Sequence, residues 1–287
     1  MRRGSGTAAP RRRAASQEVL RWLLPSALLA LIAATARAEA IATAEYAAPV
    51  DRYGHFALGR PHEYARLTAT TNNGRSYMLT LPDDEVFEDL APRLVSLTPG
   101  EPHEILSIIS QRDSGARLAL IRLRADHLEI SAQSPPIGTP MRWLNPVGIA
   151  EFDNDGQAEV AAVITPHLNG TLKIYRRSGD RLVEITSLSG VSNHVHGSAE
   201  LALSTPALIA GQMQLLVPDT ARHRLRIIAL RGARLAETAH CQLAAPLTGA
   251  LRMVSASEIS VGLPSGRQLI SLKDCPTSQG AGGAAPG

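Results

Sequence analysis

The sequence predicts an all-β protein: a β-propeller of about five blades, each a four-stranded antiparallel sheet, behind an N-terminal signal peptide. Three observations carry this expectation. From Tyr46 onward, short apolar or alternating runs recur between Gly, Pro, Asn and Asp, with almost no helical periodicity. Similar runs return at offsets of 53–55 residues. The first 38 residues have the order of an export signal.

The export segment comes first. Arg2, Arg3, Arg11, Arg12 and Arg13 precede an apolar run from Trp22 to Ala36, and Ala36-Arg37-Ala38 is a small-x-small cleavage site. The run is shorter than the ~20 residues a spanning helix needs, so cleavage after Ala38 is expected, with an uncleaved membrane anchor as the alternative. The arginines are not followed by the usual twin-arginine pattern. Removing residues 1–38 takes away seven arginines and one acid, leaving 22 basic and 25 acidic residues and a net charge near −3. The basic character of the whole chain thus belongs largely to the signal. With aromatic residues at 3% of the chain, nucleic-acid binding loses both its charge and its stacking residues. The mature protein is expected in the periplasm or secreted, with no transmembrane segment.

The strands follow. "RSYMLTL", "EILSII", "RLALIRL", "EVAAVIT", "TLKIYRR", "QLLVP", "RLRIIAL", "EISVGL" and "QLISLK" read as β-strands, and "NNG", "DSG" and "LNG" as tight turns. "EILSII" at Glu104 returns as "EVAAVI" at Glu159, Gly115 as Gly170, and "LEI" at 128–130 as "VEI" at 183–185, all 55 residues on. "RLVE" at 181–184 returns as "RLAE" at 234–237, and "TLKI" at 171–174 as "RLRI" at 224–227, both 53 residues on. The units fall near 53–90, 91–135, 142–187, 195–240 and 247–273, within a domain of 39–275. Sheets repeated at this period predict a propeller, because one twisted sheet cannot bury its faces alone. A β-sandwich is the competing fold, but it needs no faithful offset.

Cys241 and Cys275 predict a disulfide in an exported chain, with two separate buried thiols as the alternative. Residues 276–287, rich in Gly, Ala and Pro, read as a disordered tail.

The stretch "EFDNDGQAEVAAV" opens the third unit. Counting from Glu151, carboxylates fall at positions 1, 3, 5 and 9: Glu151, Asp153, Asp155 and Glu159. Gly156 lets the backbone turn, and Gln157 can offer its carbonyl. Hard oxygens converging in a tight loop suit one Ca2+ ion. An EF-hand is excluded, since Ala162 stands at position 12 and the flanks are strands. The bland alternative is a solvated acidic turn. "PVGIAEFDNDGQAEVAAV" resembles the FG-GAP/VCBS repeat, the calcium-loop blade of integrin-α-type propellers. "DRYGHFALG", "FEDLAPRL", "TPHLNGTL" and "SNHVHGS" are similar to parts of exported proteobacterial VCBS-repeat proteins, a subgroup of unknown activity. The resemblance implies a propeller and a structural calcium ion. Glu151 and Glu159 depart from it, standing where the motif has Asp, one methylene longer. The other units have lost the acidic loop, so a single site is expected.

"SNHVHGSAE" places His194 and His196 at i, i+2, on one face if extended, where zinc or copper is conceivable with Glu200 or His167. The alternative is histidines that only bond a long loop. Asn193, His194, His196, Glu200 and His167 are the candidate face-loop contacts, with His55, Trp143 and Asp219 at other strand–loop junctions. No H-E-x-x-H, P-loop or nucleophile elbow is present. The expected function is a monomeric binding module for a protein or glycan of the cell envelope. The alternative is a hydrolase or lyase acting on an envelope polymer.

Overall fold

A computed structural model describes residues 38–278. The predicted signal peptide, apart from Ala38, and the tail beyond Ser278 lie outside the described residues. No helix among the described residues is long and apolar enough to cross a membrane.

The described chain is all-β: strands, plus one 3-10 turn at Leu272–Asp274. β1 (Ile41–Pro49), β2 (Tyr64–Thr71) and β3 (Ser76–Thr80) pair antiparallel in chain order. β4 (Glu85–Phe87) and β5 (Arg93–Val95) pair with opposite ends of β6 (Glu104–Gln111), which continues into β7 (Gly115–Arg124) and β8 (His127–Gln133). β9 (Leu144–Ala150), β10 (Glu159–Ile164), β11 (Gly170–Ser178) and β12 (Arg181–Val191) form a four-stranded meander. β13 (Thr205–Ile209), β14 (Gln212–Pro218), β15 (Arg224–Arg231) and β16 (Arg234–Gln242) form another. β17 (Gly249–Ser255), β18 (Glu258–Leu263) and β19 (Gly266–Ser271) form a three-stranded one. The first three groups join into one path only through single residue pairs, Tyr64 with Phe87 and Arg181 with Gln133. The groups follow the order of the expected units, but β4, inside the unit 53–90, pairs with β6 of the next one. The described ladders close no barrel.

Two further boundaries differ from expectation. β1 precedes the first predicted unit. At the other end, Pro276–Ser278 are not free tail: the His240 N–H donates to the Pro276 carbonyl and the Ser278 N–H to the Thr238 carbonyl. This places the segment along β16, beside the bond between Cys241 and Cys275.

The strands read as continuous apolar runs because each central sheet is covered on both faces. In β10, Val160, Ala162 and Ile164 pack with Leu106, Ile108, Leu118 and Leu120 of the preceding sheet. Ala161 and Val163 point the other way, onto Leu215, Val217 and Ile228 of the following one. In β6, Ile105 and Ile109 face Leu67 and Ala69. In β15, Leu225 and Ile227 face Ile259 and Val261. The period-2 alternation of a strand thus sorts successive side chains into two different cores, and the sheets stack in chain order. The repeated glycines have one physical reason. A Cβ on Gly115 would lie 2.4 Å from the Thr139 carbonyl oxygen, and one on Gly170 would lie 2.7 Å from that of Val191. At both places a neighbouring backbone passes where a side chain would stand.

Candidate functional site

The stacking brings two groups of polar side chains together. The first is the acidic loop between β9 and β10. Its shape is set by Glu151, whose Oε1 accepts the N–H groups of Asp153, Asn154 and Asp155 and whose Oε2 accepts that of Gly156 at 2.6 Å. Asn154 and Gly156 both take positive φ, which lets successive N–H groups turn inward. Asp155 Oδ1 accepts the Gln157 N–H, and the buried Glu159 accepts the Phe152 N–H. Ligand oxygens of Glu151, Asp153, Asp155 and Glu159 lie within 4.8 Å of one another, so this cluster could hold a metal ion.

A cation of the chain's own is already there. Arg176 of β11 reaches in, pairing with Asp153, with Glu159 at 3.1 Å and with Asp155 at 3.5 Å. The hairpin register carries it there, since Tyr175 pairs with Val160 and Arg176 follows one residue on. Glu159 titrates higher than an ordinary glutamate, because burial and then the charges of Glu151 and Asp155 oppose its ionisation. Asp153 Oδ1 is buried without a hydrogen-bond partner. The spacing therefore foretold the convergence but not the division of labour. Glu151 binds the loop's own N–H groups, while Asp153, Asp155 and Glu159 face the positive charge. Gln157 is exposed.

The second group is a set of imidazoles drawn from three separate segments. His55 lies between β1 and β2, His167 between β10 and β11, and His194 and His196 after β12. The rings of His167 and His194 are 5.0 Å apart, those of His167 and His196 5.1 Å, and those of His55 and His196 6.2 Å. Trp143, at the entry to β9, stacks parallel to His167 at 6.1 Å and tilts against His194 at 4.8 Å. His194 is fully buried and His196 exposed, so the group runs from core to surface.

Two buried carboxylates build the floor. Glu63 accepts the N–H groups of Gly54, His55 and Phe56 and so folds the loop that presents His55. Glu88, in the break between β4 and β5, accepts the Ala57 N–H, the Ser110 hydroxyl at 2.6 Å and the His55 Nδ1–H at 2.9 Å. Its carbonyl accepts the Trp143 indole N–H. Beside it, burial and then the charge of Glu88 push the Tyr53 phenol up to about 12.

The tautomers follow from the partners. The Ser198 carbonyl can only accept, so His194 Nε2 donates to it at 2.8 Å. The bare Nδ1 of neutral His194 then accepts from His167 Nε2–H at 2.7 Å. That leaves His167 Nδ1 with a free lone pair. Both rings stay neutral: burial pushes His167 down to about 3, helped by His194 and His196, and burial pushes His194 down to about 4. Arg222, whose guanidinium reaches Ser192 Oγ, adds to both shifts.

Of the residues expected at loop junctions, His55, Trp143, His167, His194 and His196 come together. Three do not join the ring cluster. Asn193 is buried and exchanges amide hydrogen bonds with Asn145, each donating to the other's carbonyl. Glu200 accepts the Ala202 N–H. Asp219 folds its own turn by accepting the N–H groups of His223 and Arg224. Glu63, Glu88 and Arg222 were not foreseen as members. "FEDLAPRL" carries Glu88 and Asp89 as an acidic pair between Phe87 and Leu90, and carboxylates so placed are the one signal that could have found it. No protein-family model matches the chain, and no curated protein matches it.

Proposed function

We propose that this protein is an exported, monomeric β-propeller of about five blades, FG-GAP/VCBS-like, that serves as a binding module for a protein or glycan of the cell envelope. One observation carries the reading: connections from successive sheets deliver His55, Trp143, His167 and His196 to one polar cluster that reaches the surface. Sheets stacked in chain order support the ring. The bonded pair Cys241–Cys275 supports an oxidising compartment.

The acidic loop is the brace of that scaffold. Its donors are all oxygens, and the buried, unpartnered Asp153 Oδ1 fits a hard cation. Asp153, Asp155 and Glu159 would hold Ca2+, with the Gln157 carbonyl in reach of the same loop. The ion would cancel their mutual repulsion, a task the Arg176 guanidinium performs in its absence. Calorimetry on chelator-treated protein tests this. Heat and a raised melting temperature at ~0.1–1 mM calcium are expected. No heat and no shift at several times that concentration would remove the ion from the proposal. Affinity capture from the native envelope, with and without chelator, tests the binding role. Retention of an envelope component that His196→Ala releases is the expected result.

The His55–Glu88 pair favours a second reading, an envelope-polymer hydrolase or lyase, because a buried carboxylate orienting an imidazole is how general bases are held. Release of soluble fragments from purified envelope polymer, abolished by His55→Ala, would replace the binding module with this reading.

A further inference from the structure

We propose that His55, His167 and His196 together bind a divalent transition metal, zinc or copper(II). The site is separate from the acidic loop and stands whether or not that loop takes calcium.

The argument starts from what the outer nitrogens do. A metal-bound histidine nearly always donates its other ring N–H to a carboxylate or carbonyl, which fixes the tautomer and aims the lone pair. One of these three rings is held that way, and a second is held by an imidazole in place of the carboxylate. His55 Nδ1–H donates to the buried Glu88 carboxylate, leaving Nε2 as its outward nitrogen. His167 Nε2–H donates to His194, which in turn donates to the Ser198 carbonyl, leaving Nδ1 bare. Glu88 and His194 are thus positioning residues. His196 makes no hydrogen bond through its ring among those the structure shows, is exposed, and precedes Gly197, which takes positive φ. It is the ligand free to turn.

The spacing suits a metal. A metal–nitrogen bond of about 2 Å puts each ring centre roughly 3 Å from the ion, so two imidazoles on a tetrahedral ion have centres about 5 Å apart. His167 and His196 stand at 5.1 Å and His55 and His196 at 6.2 Å. Among the described residues, only the acidic loop brings three or more ligand atoms within 4.8 Å of one another. His196, a surface side chain, is the ring near both of the others, so its rotation aims one nitrogen between them. Imidazole donors select zinc or copper over calcium. Arg222 opposes a cation here, and the buried Glu63 and Glu88 offset it.

The test uses purified protein freed of metal with a chelator, then titrated with zinc chloride and, separately, with copper(II). One equivalent of zinc is expected to bind, and the copper(II) electron paramagnetic resonance spectrum to show three coupled nitrogens. His196→Ala, a surface change that leaves the fold intact, is expected to weaken zinc at least tenfold and drop the count to two. Glu88→Gln keeps an acceptor for His55 and is expected to weaken zinc by about tenfold while the nitrogen count stays at three. Asp153→Asn should leave zinc binding unchanged. The proposal is overturned if zinc does not bind above a buffer blank, if His196→Ala binds it like the parent, or if Asp153→Asn abolishes it.

Discussion

His167 donates from Nε2 to Nδ1 of His194 across 2.7 Å, joining two connections that lie 27 residues apart in the chain. That bond exists only while His194 is neutral, because an imidazolium there would present a second proton where an acceptor is needed.

Acid should therefore loosen this part of the protein. Burial holds His167 near 3 and His194 near 4 in the folded state, against about 6.5 for a free histidine. Between those values the unfolded chain binds more protons than the folded one, so stability rises with pH. The contribution is complete above about pH 6.5 and is lost progressively as pH falls towards 4 and 3. Urea midpoints measured from pH 7.5 to pH 4.5 on metal-free protein should fall. The fall should be smaller in the double variant His167→Gln, His194→Gln. A midpoint that holds level over that range would show that the pair does not titrate this way.

Arg176 gives a second prediction. Its guanidinium bonds Glu159, whose side chain is fully buried, and also meets Asp153 and Asp155. Arg176→Met keeps much of the stem's volume and removes the charge. Since the guanidinium is about one-third exposed, a cost of roughly 1–3 kcal/mol is expected, below that of breaking a fully buried pair. Denaturation in chelator measures it. Millimolar calcium should restore most of the loss in the variant and do less for the parent, whose own cation already fills the loop. Equal calcium responses in the two proteins would show that Arg176 and the ion do not share a site.

These residues also show what could be read from the chain alone. The acidic loop was legible because its four carboxylates lie within nine residues, and local spacing decides where their side chains meet. The central strands were legible because both faces of their sheets are covered, so they appear as unbroken apolar runs. Arg176 was not, because a strand arginine looks like any solvated residue until the hairpin register aims it at the loop. Nor was the partnership of His55 with Glu88 and His196. His55 and Glu88 stand 33 residues apart and His196 lies in a different unit, and only packing, a non-local property, brings them together. Glu88 was hidden for a further reason: its carboxylate is satisfied by a backbone amide and an imidazole of the 55–57 loop and by a hydroxyl of β6.

The disulfide gives a third prediction. Cys241 of β16 is bonded to Cys275, 34 residues on, and both are buried. The bond encloses β17, β18 and β19, the three-stranded sheet that ends the described chain. Joining the ends of such a loop lowers the entropy of the unfolded chain by an amount equivalent to about 4 kcal/mol. The double variant Cys241→Ser, Cys275→Ser should lose a large part of that. Hydrogen exchange should quicken first in 249–271, ahead of β9 to β12. Uniform acceleration across all sheets would mean that the last sheet does not open by itself.

Two turn glycines allow the sharpest comparison. Gly115 and Gly179 both take positive φ, at 75° and 62°. They differ in what surrounds them. A Cβ at Gly115 would stand 2.4 Å from the Thr139 carbonyl oxygen and 3.0 Å from that of Arg142, whereas one at Gly179 would meet nothing within 4 Å. Backbone strain is common to Gly115→Ala and Gly179→Ala and costs about 1 kcal/mol or somewhat more. The clash belongs to Gly115 alone, and carbonyl backbone cannot rotate away as a flexible side chain would. Gly115→Ala should therefore destabilise by roughly 2–4 kcal/mol and Gly179→Ala by about 1 kcal/mol. The 138–142 connection that presses on Gly115 leads directly into Trp143, so the first variant should also disturb the histidine cluster. Tryptophan fluorescence of the folded state reads that displacement and should shift in Gly115→Ala but not in Gly179→Ala. Equal costs for the two would mean that the connection yields, and that the repeated glycine serves only the turn.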